Sequence, residues 1–366
     1  MQQLKDLFNT VLDKGYVKLD RTGVGTKSVF GYMSRFNLND GFPIVTLKKT
    51  FFRSAAVELL WMIGGWRNKP EYKDKNFSRT NIRYLLDNDV HIWTDWPYKA
   101  YCQTIDDWYK DHEVRHPLPD SWFFKDEEKS TSNSITLLKL TQKQFEQRIC
   151  EDDKFAHKFG ELGPVYQKQW RDFQGKYDSV DQLMEMINKL KNKPDDRRNL
   201  TSFWNPTELH EMMLAPCHMF HQVWTRELTF EEKIQWVMRY TDVEMENLYI
   251  TEAAAALSKR ALSLQMYQRS SDCFLGVPFD WVFYALLTHM LAEVTNMVVD
   301  EFIWVSGDTH LYTNQWDAAK EILTREPHPL PKLKIKHRDN IEDFVLEDFE
   351  LINYKFHPAI KVAVAV

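Results

Sequence analysis

Cysteine is scarce in this sequence, and what there is lies scattered. Cys102, Cys150, Cys217 and Cys273 are the four thiols among 366 residues, and none forms a CxxC pair. That spacing excludes the common zinc and redox motifs, and no metal is expected. Long apolar runs are missing too, so no membrane-crossing segment is expected. The opening Met1-Gln2-Gln3-Leu4-Lys5 lacks the apolar core of a secretory signal. A soluble protein of a reducing compartment, the cytoplasm, is the expectation. Excess positive charge is also absent. The formal net charge of −6 argues against a nucleic-acid partner held by a general basic field. Internal repeats are not found.

What is present is a large apolar fraction, 43%, enough for a sizeable core, and 14% aromatic residues including 13 Trp. Such a composition suits a pocket for flat ligands. The most informative stretch is Leu214-Ala215-Pro216-Cys217-His218. Before it the chain is polar-aromatic and breaks at Pro206; after it residues 219–224 alternate as a half-buried strand does. Cys217 therefore stands where a proline-containing loop enters a strand. A thiol there is either small buried filler or a nucleophile.

Other segments read as follows. Residues 3–14 carry apolar residues at helical spacing, and 27–38 alternate as a strand. Asp20 to Thr26 is a polar loop with two glycines beside Arg21, which suits an anion as well as an ordinary turn. Residues 52–63 read as a buried helix with Glu58 inside it. The composition changes over about 99–158 and again over about 226–259, two expected insertions in an otherwise single domain spanning 1–366. The first carries a helix-like piece near 137–148; the second reads as a helical excursion between strands. Residues 179–190 form an amphipathic helix with Ser179 as expected N-cap. Arg197 and Arg198 follow an acidic turn and are either solvated or a phosphate clamp. A strand over 263–268, a nearly all-apolar helix over about 281–298 and strands at 303–305 and 332–336 complete the pattern, with a polar cluster at 307–314. The apolar C-terminus is of the kind that docks.

Together, DRTGVGT, VELLW, IWTDW, GPVYQKQW, PDDRR, LAPCH, LQMYQRSSDCFLGVPF, GDTHLY and the C-terminal tail occur in the order of the thymidylate synthase family, which the chain resembles over nearly its whole length. The resemblance implies an α/β fold with a large, antiparallel-rich mixed sheet packed by helices, dimerising through that sheet. It implies one-carbon transfer from 5,10-methylenetetrahydrofolate to C5 of a deoxypyrimidine monophosphate. Cys217 matches the nucleophile that attacks C6 and so activates C5. Arg269 matches the arginine near that sulfur, which also binds phosphate. Arg21 and Ser270 match further phosphate ligands, and Arg197 and Arg198 match a pair donated by the second subunit. Glu58 matches the carboxylate that organises water and proton transfer at the base. Tyr166 and Asp272 match groups of the C5 proton-removal and folate-positioning steps. Trp93, Trp96, Leu214, Leu275, Gly276, Phe279 and the terminal Val366 match the folate wall. His310 and Tyr312 match residues on the sugar 3′-hydroxyl, and Gln222 and His218 match others at the nucleotide.

One position departs from the synthases. Where they have the asparagine that reads uracil, this chain has Asp280, as the family's deoxycytidylate hydroxymethylases do. An ionised carboxylate accepts from the exocyclic amine of cytosine and cannot donate to O4 of uracil. The expected substrate is therefore dCMP and the expected product 5-methyl-dCMP. The alternatives are 5-hydroxymethyl-dCMP, formed if water rather than hydride reaches the transferred carbon, and conversion of dUMP to dTMP. The retained tail, Trp93 and His218 favour methylation. Val362 and Ala363, in place of Ala-Pro, and Gln167, in place of glycine, bear on closure of the site. Either cytosine product would suit a genome with modified cytosines. A non-catalytic nucleotide-binding relative and a cysteine hydrolase are the readings from other classes.

Overall fold

Two long strands lie side by side at the centre of one six-stranded sheet. The computed structural model describes residues 1–20, 23–110, 119, 122–131, 134–240 and 247–363. The N-terminal part runs α1 (Gln2–Lys14), β1 (Tyr16–Lys18), β2 (Thr26–Asn37), α2 (Phe52–Ile63), α3 (Arg83–Asp87) and α4 (Asp95–Lys110). A hairpin of β3 (Phe124–Thr131) and β4 (Ser134–Leu138) leads to α5 (Gln142–Glu151), α6 (Asp153–Phe159) and α7 (Gln167–Arg171). Then come β5 (Phe173–Gln174), β6 (Ser179–Val180), α8 (Gln182–Asn192), β7 (Leu200–Ser202) and β8 (His218–Glu227). A helical pair, α9 (Phe230–Tyr240) and α10 (Asn247–Ala256), precedes β9 (Arg260–Asp272), α11 (Val277–Val294) and β10 (Val298–Tyr312). The chain closes with α12 (Trp316–Thr324), β11 (Lys332–Ile335) and β12 (Phe349–Ile352).

The sheet order is β1-β2-β10-β9-β8-β7. Only β9 and β10 are parallel; every other pairing is antiparallel. The parallel pair needs a crossover, and α11 supplies it. Its 18 residues are apolar nearly all round and almost all buried, which is what a helix packed on all sides requires. It lies against β9, β10 and α2. Trp281 meets Phe36 of β2 and Trp304 of β10 at ring-centroid distances of 4.7 and 5.8 Å. This stack fixes α11 to the sheet, and with it the residues of its first turn. No helix among the described residues is long and apolar enough to cross a membrane.

The mixed sheet packed by helices is the expected fold. The strand at 27–38, the helix at 52–63 and the helical excursion near 226–259 lie where the pattern puts them. Four expectations need correction. The helix expected over 179–190 begins later: Asp181, not Ser179, is its N-cap, accepting from Met184 N, while Ser179 pairs in β6. The central helix begins at Val277 rather than 281, because Pro278 fits a first turn that needs no N–H donor there. The polar cluster at 307–314 mostly continues β10, which runs on to Tyr312; polar side chains there follow the strand's alternation instead of ending it. The helix-like piece near 137–148 is the end of β4 followed by α5, which a Thr141–Gln144 capping box opens.

Candidate active site

Cys217 sits one residue before β8, at the close of the Leu214–Pro216 loop, as the proline and the alternation require. Three contacts hold it. Its N–H donates to the Tyr166 hydroxyl at 2.9 Å. Its carbonyl accepts from Arg269 N at 2.8 Å. The Arg269 guanidinium reaches across the same loop, donating from Nε to Pro216 O and from Nη2 to Ala215 O, both at 2.9 Å. Burial pushes the Cys217 thiol up, the Arg269 charge pulls it back, and Asp280 adds to the rise. The resting sulfur is therefore a thiol, and Arg269 is the neighbouring charge that favours its thiolate form.

Tyr166 takes an unusual backbone conformation, φ +23°, at the N-terminus of α7. Non-glycine residues rarely hold positive φ, and such outliers cluster at functional sites. Burial holds its phenol well above the usual range. The hydroxyl is therefore neutral, accepting from Cys217 N while keeping a proton of its own to donate.

Glu58 projects from α2 into the same region. Its Oε1 accepts from Trp93 Nε1 at 2.7 Å. Burial pushes its carboxyl up to about 7, against the opposing Trp93 hydrogen bond; Asp280 raises it and His218 lowers it. A carboxyl poised there can both hold and release a proton at neutral pH.

Asp280 lies in the first turn of α11 with its side chain 15% exposed. Its Oδ2 accepts from Gln268 Nε2 at 2.9 Å, and its Oδ1 is 3.1 Å from His218 Nε2. The polarity of this network is fixed from its far end. Trp304 Nε1 can only donate, and it donates to Gln268 Oε1 at 2.9 Å. The Gln268 amide nitrogen must then face Asp280. At the other side, Tyr284 Oη lies 3.0 Å from His218 Nδ1, which suits an Nε2–H tautomer donating to Oδ1. Both oxygens of Asp280 are thereby acceptors.

Trp93 and Trp96 pack with centroids 5.4 Å apart, and Leu214, Leu275 and Phe279 lie partly buried against the core. Trp93 is buried, and the other four are partly exposed aromatic and aliphatic side chains. Asp272 ends β9: its Oδ1 accepts from Phe274 N and Leu275 N at 2.9 and 3.0 Å, and its Oδ2 from Gln315 Nε2 at 3.1 Å. Gly276 N donates to Asp272 O at 3.1 Å, closing the turn into α11. His310, 3.2 Å from Asp308 Oδ1 through Nδ1, stands edge-on to Tyr312 at the end of β10. Ser270 lies beside Asp308 in the parallel register.

The structure thus brings Cys217, Tyr166, Arg269, Glu58, Asp280 and His218 together. Arg197 and Arg198 are not brought in. Both are exposed between α8 and β7, where Arg198 pairs with Asp196 at 2.9 Å and Arg197 O accepts from Gln222 Nε2 at 2.9 Å. Arg21 and Val366 lie outside the described residues. Gln167 is fully buried, and its amide atoms have no hydrogen-bond partner among the described residues.

Sequence reasoning missed Gln268, Trp304 and Tyr284, which orient Asp280 and His218. Tyr284 had a signal: it follows Asp280 by four residues and so shares its helix face. Trp304 had none, since its meeting with Gln268 depends on strand register. Lys48 was missed as well; its Nζ donates to Phe274 O at 2.6 Å, and burial pulls it down to about 8.

The family model described as "Thymidylate synthase" matches residues 2–366. Among curated proteins, "Thymidylate synthase" of Malacoplasma penetrans is 39% identical over 367 residues, covering 100% of both chains. That of Mycoplasma mobile is 38% identical over 367 residues, and that of Listeria monocytogenes 37% over 368, again with 100% of both chains covered. With a match of this extent and the expected nucleophile, tyrosine and arginine assembled around one loop, the chain belongs to the thymidylate synthase family.

Proposed function

We propose that the chain methylates C5 of a 2′-deoxypyrimidine 5′-monophosphate, taking both the carbon and the hydride from methylenetetrahydrofolate. The observation that carries this reading is the Cys217 cluster: a thiol beside Arg269, a neutral tyrosine on its backbone N–H, and a carboxyl poised near neutrality. Cys217 adds to C6 of the ring, making C5 nucleophilic; Arg269 favours the thiolate, and Glu58 exchanges a proton at the base. Tyr166 relays the C5 proton. The Trp93–Trp96 wall receives the folate, and the C-terminal tail closes over it, so hydride rather than water reaches the transferred carbon.

The names of the relatives favour dUMP as substrate and dTMP as product over methylation of dCMP, and dUMP is the first reading of the base. On this reading N3–H donates to Asp280, and O4 takes its donor from the Glu58 side, where the carboxyl holds a proton in part of the population at neutral pH. A second reading of the base, dCMP to 5-methyl-dCMP, is favoured by one observation. Asp280 presents two acceptor oxygens, each fixed by a protein donor, and cytosine offers an amine where uracil offers a carbonyl. Paired incubations with dUMP or dCMP, each with methylenetetrahydrofolate, separate the two by which nucleotide gains mass.

The functional unit is a homodimer in this proposal. Large apolar side chains on the sheet strands lie open to solvent, Phe30 at 85% and Trp224 at 59% exposure, as a partner's sheet would require. Arg197 and Arg198 then serve the partner's phosphate site. Residues 99–158 and 226–259 are proposed as insertions into the one domain, and the cytoplasm as its compartment.

A further inference from the structure

Away from Cys217, the segment after α2 and the loop leading into α7 enclose a cleft of about 580 Å³. Cys217, Glu58 and Asp280 take no part in it. Arg67, Arg79, Lys168 and Arg171 line it, together with Glu161 and Asp172. Most of these charges are matched. Arg171 Nε donates to both oxygens of Asp181 at 3.0 Å, and Nη1 donates to Glu342 at 2.8 Å. Lys168 pairs with Asp172 at 2.8 Å. Glu161 Oε1 accepts from Asn81 Nδ2 at 2.7 Å, and its Oε2 is bonded by the Ser78 hydroxyl.

Arg79 is the exception. It is half-buried, yet its guanidinium has no hydrogen-bond or ion-pair partner among the described residues. Arg67 commits only Nε, to Phe77 O at 3.1 Å. Moreover the two guanidinium groups of Arg79 and Arg171 converge over Gly64, φ +88°: a Cβ added there would stand 3.2 Å from Arg79 Nη1 and 3.8 Å from Arg171 Nη1. Burial and the neighbouring Arg171 and Arg67 charges pull Arg79 below its usual range. Half-buried donors with no hydrogen-bonded acceptor, among like charges that outweigh the opposing Asp181 and Glu342, leave attraction for an anion unused.

We propose that this cleft binds a small phosphate-bearing molecule, with Arg79 and Arg67 as its anion ligands. Phosphate suits the site because guanidinium groups approaching from separate segments find separate oxygens on a tetrahedral anion, each bond charge-assisted. The volume lies in the range of small-molecule pockets. Glu161 and Asp172 confine the negative part of the ligand to the arginine end. This site is independent of the reaction proposed above.

The test is thermal unfolding of the full chain with inorganic pyrophosphate, because a ligand that binds only the folded state raises the midpoint. Pyrophosphate also reaches the Arg269 site, so the comparison is among wild type, Arg79→Gln, Arg79→Lys and Arg269→Gln. The upward shift should persist in Arg269→Gln and vanish in Arg79→Gln, with binding by titration calorimetry weakened at least about tenfold. Arg79→Lys should retain part of it. Without pyrophosphate, Arg79→Gln should unfold no earlier than wild type, since it relieves repulsion; a merely structural arginine would give earlier unfolding. An unchanged shift in Arg79→Gln, or its loss in Arg269→Gln alone, overturns the proposal. An equal or larger effect of triglutamate overturns the phosphate assignment.

Discussion

At the scale of the residue, Glu58 ties stability to pH. Its carboxyl titrates near 7 in the folded protein and at about 4.5 when unfolded, so the folded state retains a proton that the unfolded chain releases between those values. Stability from this group therefore falls as pH rises through that window and is level above it. Glu58→Gln should be more stable than wild type by up to about 3 kcal/mol near pH 8, with no gain near pH 4. Turnover should fall at the same time; denaturant titrations at the two pH values check the first part. At Asp280 the expected change is in the substrate. Asp280→Asn should raise kcat/KM for dUMP relative to dCMP by about tenfold or more, because an amide can donate where the carboxylate cannot. Parallel kinetics with both nucleotides measure that ratio. Glu58 and Cys217 were legible in the sequence because each is an odd residue type in its local pattern, and Asp280 because it departs from the asparagine of the family that the chain resembles. Gln268 and Trp304 were not: their role exists only in the register of β9 on β10, which no local pattern encodes.

Among the elements, α11 and the C-terminal segment matter most. The fully buried Trp281 anchors α11 between β2 and β10. Trp281→Ala should cost about 3–5 kcal/mol in a chemical denaturation experiment, and should displace Asp280, one residue away. The final segment is strapped down by backbone bonds. His357 N donates to Thr46 O at 3.0 Å, Arg325 Nη1 joins Leu47 O and Pro358 O at 2.8 Å, and Asn314 Nδ2 reaches Ala363 O at 3.0 Å. Arg325→Ala frees this strap. The expected outcome is a shift of product from methyl toward hydroxymethyl nucleotide, read by mass spectrometry, as water gains access. The period of the apolar residues was enough to locate α1 and α2 closely. It misplaced the start of α11, since an all-apolar helix has no polar face to mark its phase, and the proline in its first turn read as a loop.

For the whole molecule, acid stability is set by buried imidazole. Burial pulls His221 down to about 3 and His289 to about 4 from the ordinary 6.5. The unfolded chain takes up these protons first, so stability is lost as pH falls below about 6.5. His221 has no hydrogen-bond partner for either ring nitrogen among the described residues and packs on Trp170 at 5.3 Å. His221→Phe should therefore move the acid-unfolding midpoint, followed by circular dichroism, to lower pH. The mixed sheet could be expected from the family resemblance, whereas the meeting of segments that forms the Arg79 cleft depends on loops whose path composition does not fix.

The most direct test of the account is a single-turnover incubation with methylenetetrahydrofolate, dUMP and dCMP being supplied in separate reactions to wild type and Cys217→Ser. The account predicts a nucleotide heavier by one CH2 unit and an equal amount of dihydrofolate with wild type, and neither with the variant. A hydroxymethyl product without dihydrofolate, or turnover that survives Cys217→Ser, would contradict it.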